Sequence, residues 1–281
     1  VSYPLVGPGG DRTGPVGYTY AALVVRVGDR TAHVPEDVFA TPPDAGRGRL
    51  GGSLRPAPTR DGVLAALREA GFSGWVGADE EGWVAAVPRS GAGTVASGRR
   101  GVAGLGTDLA GALGATVVVL RVLADRQLLV AVWDGAQELG RYVSDPSVGR
   151  GEDDDTLPDP VGVEHAETFA AACGRADDAD DLAELLAEDL DPDSVIESER
   201  LAGVLRLLGL PGWLVAASSL PGDVPAGPRA SDLTRLGAGA EGLAGAVRGW
   251  AAEQVRRRRT PPDPVPEGPR GPSDADLWML G

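Results

Sequence analysis

Only His33, His165 and Cys173 offer an imidazole base or a thiol nucleophile in this chain. Nucleophilic catalysis needs a base to take the proton and an acid to orient that base. His33 stands beside Val34-Pro35 near a strand end, and His165 opens an acidic segment. No G-x-S-x-G turn presents a serine. Both histidines therefore read as surface or edge residues, and Cys173, on the apolar side of a short helix, as a small core residue. The run Gly101-Val-Ala-Gly104-Leu-Gly106 precedes a helix, where anions are favoured. No lysine follows it, so it is not a phosphate loop of the Walker type.

Carboxylates are the abundant chemistry. Asp189, Asp191 and Asp193 alternate as ligands of a calcium loop do. The sixth position, however, is Ser194 rather than glycine, and the twelfth is Arg200 rather than glutamate. They remain a weak metal candidate. The competing expectation is a capping box, with the Ser194 oxygen accepting from the Glu197 amide and Glu197 reaching back. No catalytic residue and no cofactor is assigned.

Acid is also unevenly spread. Residues 151–200 hold 18 acidic and 2 basic side chains, against 41 and 26 in the whole chain, so this segment alone accounts for the net charge of −15. Its sign opposes binding to a nucleic-acid backbone and attracts a basic protein. Asp177, Asp178, Asp180, Asp181, Glu184 and Glu188 are the candidate binding face, on a helix whose other side carries Leu182, Leu185 and Leu186. All 26 basic residues are arginine. Because lysine and asparagine are both missing, this reflects a GC-rich coding sequence more than phosphate recognition. One cysteine excludes an internal disulfide, and no run of eighteen apolar residues occurs. Cytoplasmic location, with neither membrane nor nucleic acid as partner, is the expectation; the oligomeric state is not encoded in any pattern.

The elements that must position these groups follow from periodicity. Tyr18–Val27 is β-branched and aromatic enough for a strand. Thr59 caps a helix whose stripe is Val63, Leu64 and Leu67; two strands, Gly74–Gly77 and Trp83–Val87, follow it. The same order recurs with Leu105, Leu109 and Leu113, then strands Ala115–Leu123, Leu128–Trp133 and Leu139–Val143. Thr116–Leu123 is apolar on both faces, so both must be covered. Trp75, Trp83, Trp133 and Tyr142 fall on strands and read as core. Beyond an acidic linker come helices Ala166–Cys173, one marked by Leu182 and Leu186, one by Leu201, Val204, Leu205 and Leu208, and a last one by Leu243, Val247 and Trp250. Trp213–Ala217 reads as a strand.

The expected fold class is α+β: a mainly antiparallel sheet of two helix–hairpin units covered by a C-terminal helical region. The expected divisions are a flexible N-terminus at 1–17, the sheet region at 18–149, an acidic linker at 150–161, a mainly helical region at 162–258 packed on the sheet, and a disordered Pro-rich tail at 259–281.

The stretch Val117–Pro146, ending Arg141-Tyr-Val-Ser-Asp-Pro146, resembles a strand pair of uncharacterised, actinobacterial-type bacterial proteins. Glu199-Arg-Leu…Leu208-Gly-Leu-Pro211 resembles a helical element that follows it there. The resemblance implies topology and no activity; association with toxin genes would imply an immunity role. The leading expectation is a non-enzymatic protein that binds a basic partner. The alternative is a hydrolase-like enzyme with a site assembled from scattered Asp, Arg and His.

Overall fold

A computed structural model describes residues 18–28, 58–147, 159–188, 197–224 and 226–259. One eight-stranded sheet organises it, all neighbours antiparallel. The strands are β1 (Tyr20–Arg26), β2 (Gly74–Glu80), β3 (Trp83–Pro88), β4 (Thr116–Leu123), β5 (Gln127–Asp134), β6 (Gln137–Val143), β7 (Thr234–Gly237) and β8 (Ala240–Glu241), in the spatial order β6-β5-β4-β1-β3-β2-β7-β8. β1 lies between β4 and β3, so the first strand joins the two helix–hairpin units into one sheet. The α+β class and the helical cover are as the sequence predicts.

Two apolar layers flank the sheet because its strands alternate two apolar sets. Leu23, Val25, Val117, Val119, Ala131 and Trp133 face helices α1 (Arg60–Glu69) and α2 (Val102–Leu113). Val24, Trp83, Val118, Leu120, Val130 and Tyr142 face α3 (Ala166–Cys173), α4 (Ala179–Ala187) and α5 (Glu197–Leu208). Thr59 caps α1 as expected, its hydroxyl accepting from the Gly62 amide at 3.2 Å. Gly106 brings α2 close to the sheet: a Cβ there would stand 2.5 Å from Val119 Cγ2 and 3.3 Å from Trp133 Cζ3. Its role is close packing rather than anion binding. Gly106→Leu is expected to cost about 1–3 kcal/mol through overpacking, read as a lower urea midpoint.

Three local readings change. Trp213–Ala217 is part of a 3-10 helical segment, Gly212–Ser219, not a strand. Pro211 and Gly212 set a turn after α5, and Trp213, Leu214 and Ala217 reach the core from it without a ladder partner. The helical region also contributes β7 and β8, strands too short to show a period in sequence. Finally, helix α6 (Gly242–Arg259) packs on β7 through Gly245 and Gly249; a Cβ on Gly249 would stand 3.1 Å from Gly237 Cα. Glycine against glycine lets the backbones approach, so the packed side of α6 is its small side. Val247 and Trp250, expected to mark a buried stripe, are 66% and 60% exposed.

Candidate functional site

The acidic candidates are gathered by α4 and the turn before it. Asp177 and Asp178 lie in the 3-10 turn Ala176–Asp178; Asp180, Asp181 and Glu184 lie on α4, and Glu188 just beyond it. All are exposed except Asp178, which is half-buried. Leu182 and Leu186 anchor the opposite side of the helix in the core. Among the described residues, no arginine pairs with any of these six carboxylates.

Between α4 and α5 runs a groove of about 610 Å³. Among the described residues, Asp181, Glu184 and Glu188 form its acidic wall and Arg206 of α5 its one basic side chain, with Leu185, Ala187 and Leu207 supplying apolar surface. Gly203 permits the close helix approach: a Cβ there would fall 2.6 Å from Leu185 Cδ2. Arg206 and Leu207 were not among the expected residues. Nothing in one chain's periodicity says which residues of α5 will border α4.

A buried polar cluster holds the C-terminal end of α4. Arg200, 4% exposed, donates through Nη1 to the Leu186 carbonyl at 3.1 Å and through Nη2 to the Glu188 carbonyl. It also donates to the Tyr142 hydroxyl, which itself donates to the Leu186 carbonyl at 3.0 Å. The guanidinium thus satisfies carbonyls at the C-terminal end of α4, where positive charge is favourable. Burial raises the Tyr142 hydroxyl pKa, the nearby Arg200 charge only partly opposing it. Glu197, 1% exposed, faces Arg200 with Oε2 3.6 Å from Nε. Neither of those atoms has a hydrogen-bond partner among the described residues. Desolvation pushes the Glu197 carboxyl above the usual carboxylate range; Ser144 and Arg200 oppose this and the charges of Asp125 and Asp145 add to it.

The N-terminus of α5 is held from another element. The Glu197 amide donates to the Asp125 carbonyl at 3.3 Å. The Asp125 carboxylate accepts from the Ser198 amide at 3.0 Å and the Ser198 hydroxyl at 2.7 Å. The β4–β5 turn therefore serves as a cap, and the Glu197 carboxyl faces Arg200; the expected capping box rests on Ser194, which lies outside the described residues. Tyr20 completes this edge by donating to Ser198 Oγ at 3.1 Å, and burial raises its pKa to about 12.

No known protein family, curated protein or solved structure matches this chain. The two stretches on which the resemblance rests nonetheless meet in space. Tyr142 contacts Arg200, Ser144 Oγ accepts the Leu128 amide at 2.9 Å, and the Asp145 carbonyl accepts from the Gln127 side chain. Tyr142 fastens the strand pair to α4 and α5, while Ser144 and Asp145 tie the end of β6 to the start of β5.

The other sequence candidates remain scattered. His165 lies over Gly140 of β6 and against Phe169, and its nearest acid among the described residues is Glu164 at 3.9 Å, itself 72% exposed. His33 and the metal candidates Asp189, Asp191 and Asp193 lie outside the described residues. Among the described residues, no three His, Cys, Asp or Glu side chains gather as a metal site, and no helix is long and apolar enough to cross a membrane. Cys173 is buried, and desolvation raises its thiol pKa to about 12, so the nucleophilic thiolate is disfavoured.

Proposed function

We propose that this chain is a non-enzymatic protein-binding protein, of the immunity or regulatory-adaptor kind, that receives a basic protein partner on the acidic face of α4. The observation that carries this reading is a recess walled by carboxylates that no described arginine neutralises. Six acids cluster on α4 and at its two ends, and three of them wall a groove that also offers apolar surface. Charge alone would steer a partner; the groove adds desolvated contact that keeps it bound. A rigid seat lowers the ordering cost of binding, and Arg200 supplies that rigidity by holding the end of α4.

The chemistry that fits is a segment bearing arginine or lysine beside apolar side chains at helical spacing. A synthetic basic amphipathic peptide titrated into the full chain is the direct probe. Binding is expected to weaken at least tenfold on raising salt from low to high concentration, and by a similar factor in Asp181→Asn/Glu184→Gln/Glu188→Gln. A peptide of the same composition with its apolar stripe scrambled is expected to bind less tightly. Equal affinity for both peptides, or affinity indifferent to the three substitutions, would remove the acidic groove as the seat.

A further inference from the structure

The chain itself carries the chemistry that the groove selects. Helix α6 turns Gly245 and Gly249 to β7 and leaves Val247 and Trp250 exposed, one helical turn apart on the outer side. Arg248 beside them is exposed, and the helix ends in the run Arg256–Arg259. An exposed tryptophan on a basic helix is a costly feature to leave in water, and it is the type of anchor that fills a recess at an interface. Asp181, Glu184 and Glu188 beside Leu185 and Leu207 offer the opposite charge and the apolar contact.

The two surfaces cannot meet within one chain. α5 packs on β5, whereas α6 packs on β7 and β8. β5 and β7 are separated in the sheet by β4, β1, β3 and β2, hence about 24 Å at the usual strand spacing. α6 is also fixed in place by its glycine contacts with β7.

We infer that the chain self-associates head to tail, the Val247–Trp250 side of α6 from one copy seating in the acidic α4–α5 groove of the next. This rests on the groove being a seat for basic amphipathic segments, as proposed above. Such a contact is heterologous: each copy retains a free groove at one end and a free α6 at the other, so association continues into rings or open chains. A partner that takes the groove would compete with it, and binding would release single chains.

Sedimentation velocity on the full chain tests this. Wild type is expected to associate with rising concentration, and roughly tenfold more weakly in high salt. Trp250→Ala, which spoils the helix, and Glu184→Arg, which spoils the groove, are each expected to sediment as monomers; circular dichroism checks that both fold. Mixed in equal amounts they should form a dimer, because the first retains an intact groove and the second an intact α6. A monomeric wild type at every concentration overturns the inference, as do variants that associate like wild type. A mixture that stays monomeric also overturns it, since an intact groove on one variant and an intact α6 on the other must pair if the contact is head to tail. Basic-peptide binding alongside a monomeric wild type would defeat the self-association alone and leave the groove as a seat for another protein.

Discussion

Arg200→Ala is expected to cost about 3–5 kcal/mol of folding stability, whereas Glu197→Gln is expected to stay within about 1 kcal/mol of wild type. The two residues face each other in the core, yet their surroundings differ. Arg200 donates to the Leu186 and Glu188 carbonyls and to the Tyr142 hydroxyl, so truncation strands the Glu188 carbonyl, leaves the Leu186 carbonyl only the Tyr142 hydroxyl as donor, and deprives Glu197 of its counter-charge. Glu197 Oε2 makes no hydrogen bond to Arg200, burial already disfavours its charge, and an amide oxygen can still accept from Ser144, so a neutral amide gives up little. Urea unfolding gives the stability difference. Hydrogen exchange should show α4 amides losing protection first in Arg200→Ala, because its carbonyl end is no longer held. Arg200→Lys should fall between, since an ammonium cannot reproduce the planar fork. Equal losses at both positions would mean that the ion pair, rather than the carbonyl clamp, holds this corner.

The same pair fixes the sign of a pH dependence. The folded Glu197 carboxyl titrates above its unfolded value, which is about 4.3. Between those two pH values the folded state binds more protons than the unfolded state, so stability from this group is full below the lower value and is lost as pH rises through the upper one. Other carboxylates contribute in both states, and the difference between wild type and Glu197→Gln isolates this one. That difference should shift in favour of Glu197→Gln as pH rises from 4 toward neutrality.

Trp133→Ala carries the second large effect, about 3–5 kcal/mol. Trp133 is 1% exposed and lies beneath Gly106, where α2 meets the sheet; removing the indole opens a cavity that a helix drawn so close cannot collapse to fill. Trp250→Ala is the control, being 60% exposed and expected to change stability by no more than about 0.5 kcal/mol. Guanidinium or urea midpoints for the two variants separate a core tryptophan from one on the surface.

The contrast between these tryptophans marks how far the chain could be read without coordinates. Short-range pattern identified most elements: Thr59 as a cap, the stripes of α1 and α2, the two-faced apolarity of β4, and Ala166–Cys173 to the residue. Each depends on neighbours within a turn of helix or two strand positions. Hydrophobic period failed at α6, because a helix may pack by its smallest side when the partner is also glycine, and no scale of apolarity registers that. It failed at Trp213 because a tight turn after Pro211 can bury apolar residues as well as a strand can.

The candidate site divides the same way. Its charge was legible in composition, since local sequence decides which residues are acidic and helical period decides that they share a side. Its walls were not, because Arg206 and Leu207 border α4 only when α5 packs beside it. The clamp was hidden for the same reason: Asp125 caps a helix 73 residues away, and Arg200 reaches a tyrosine 58 residues before it. Local patterning therefore determined the elements and the sign of the surface. Only tertiary packing decided which buried charges are paired and where the acidic side becomes a groove, because those depend on contacts between elements distant in the chain.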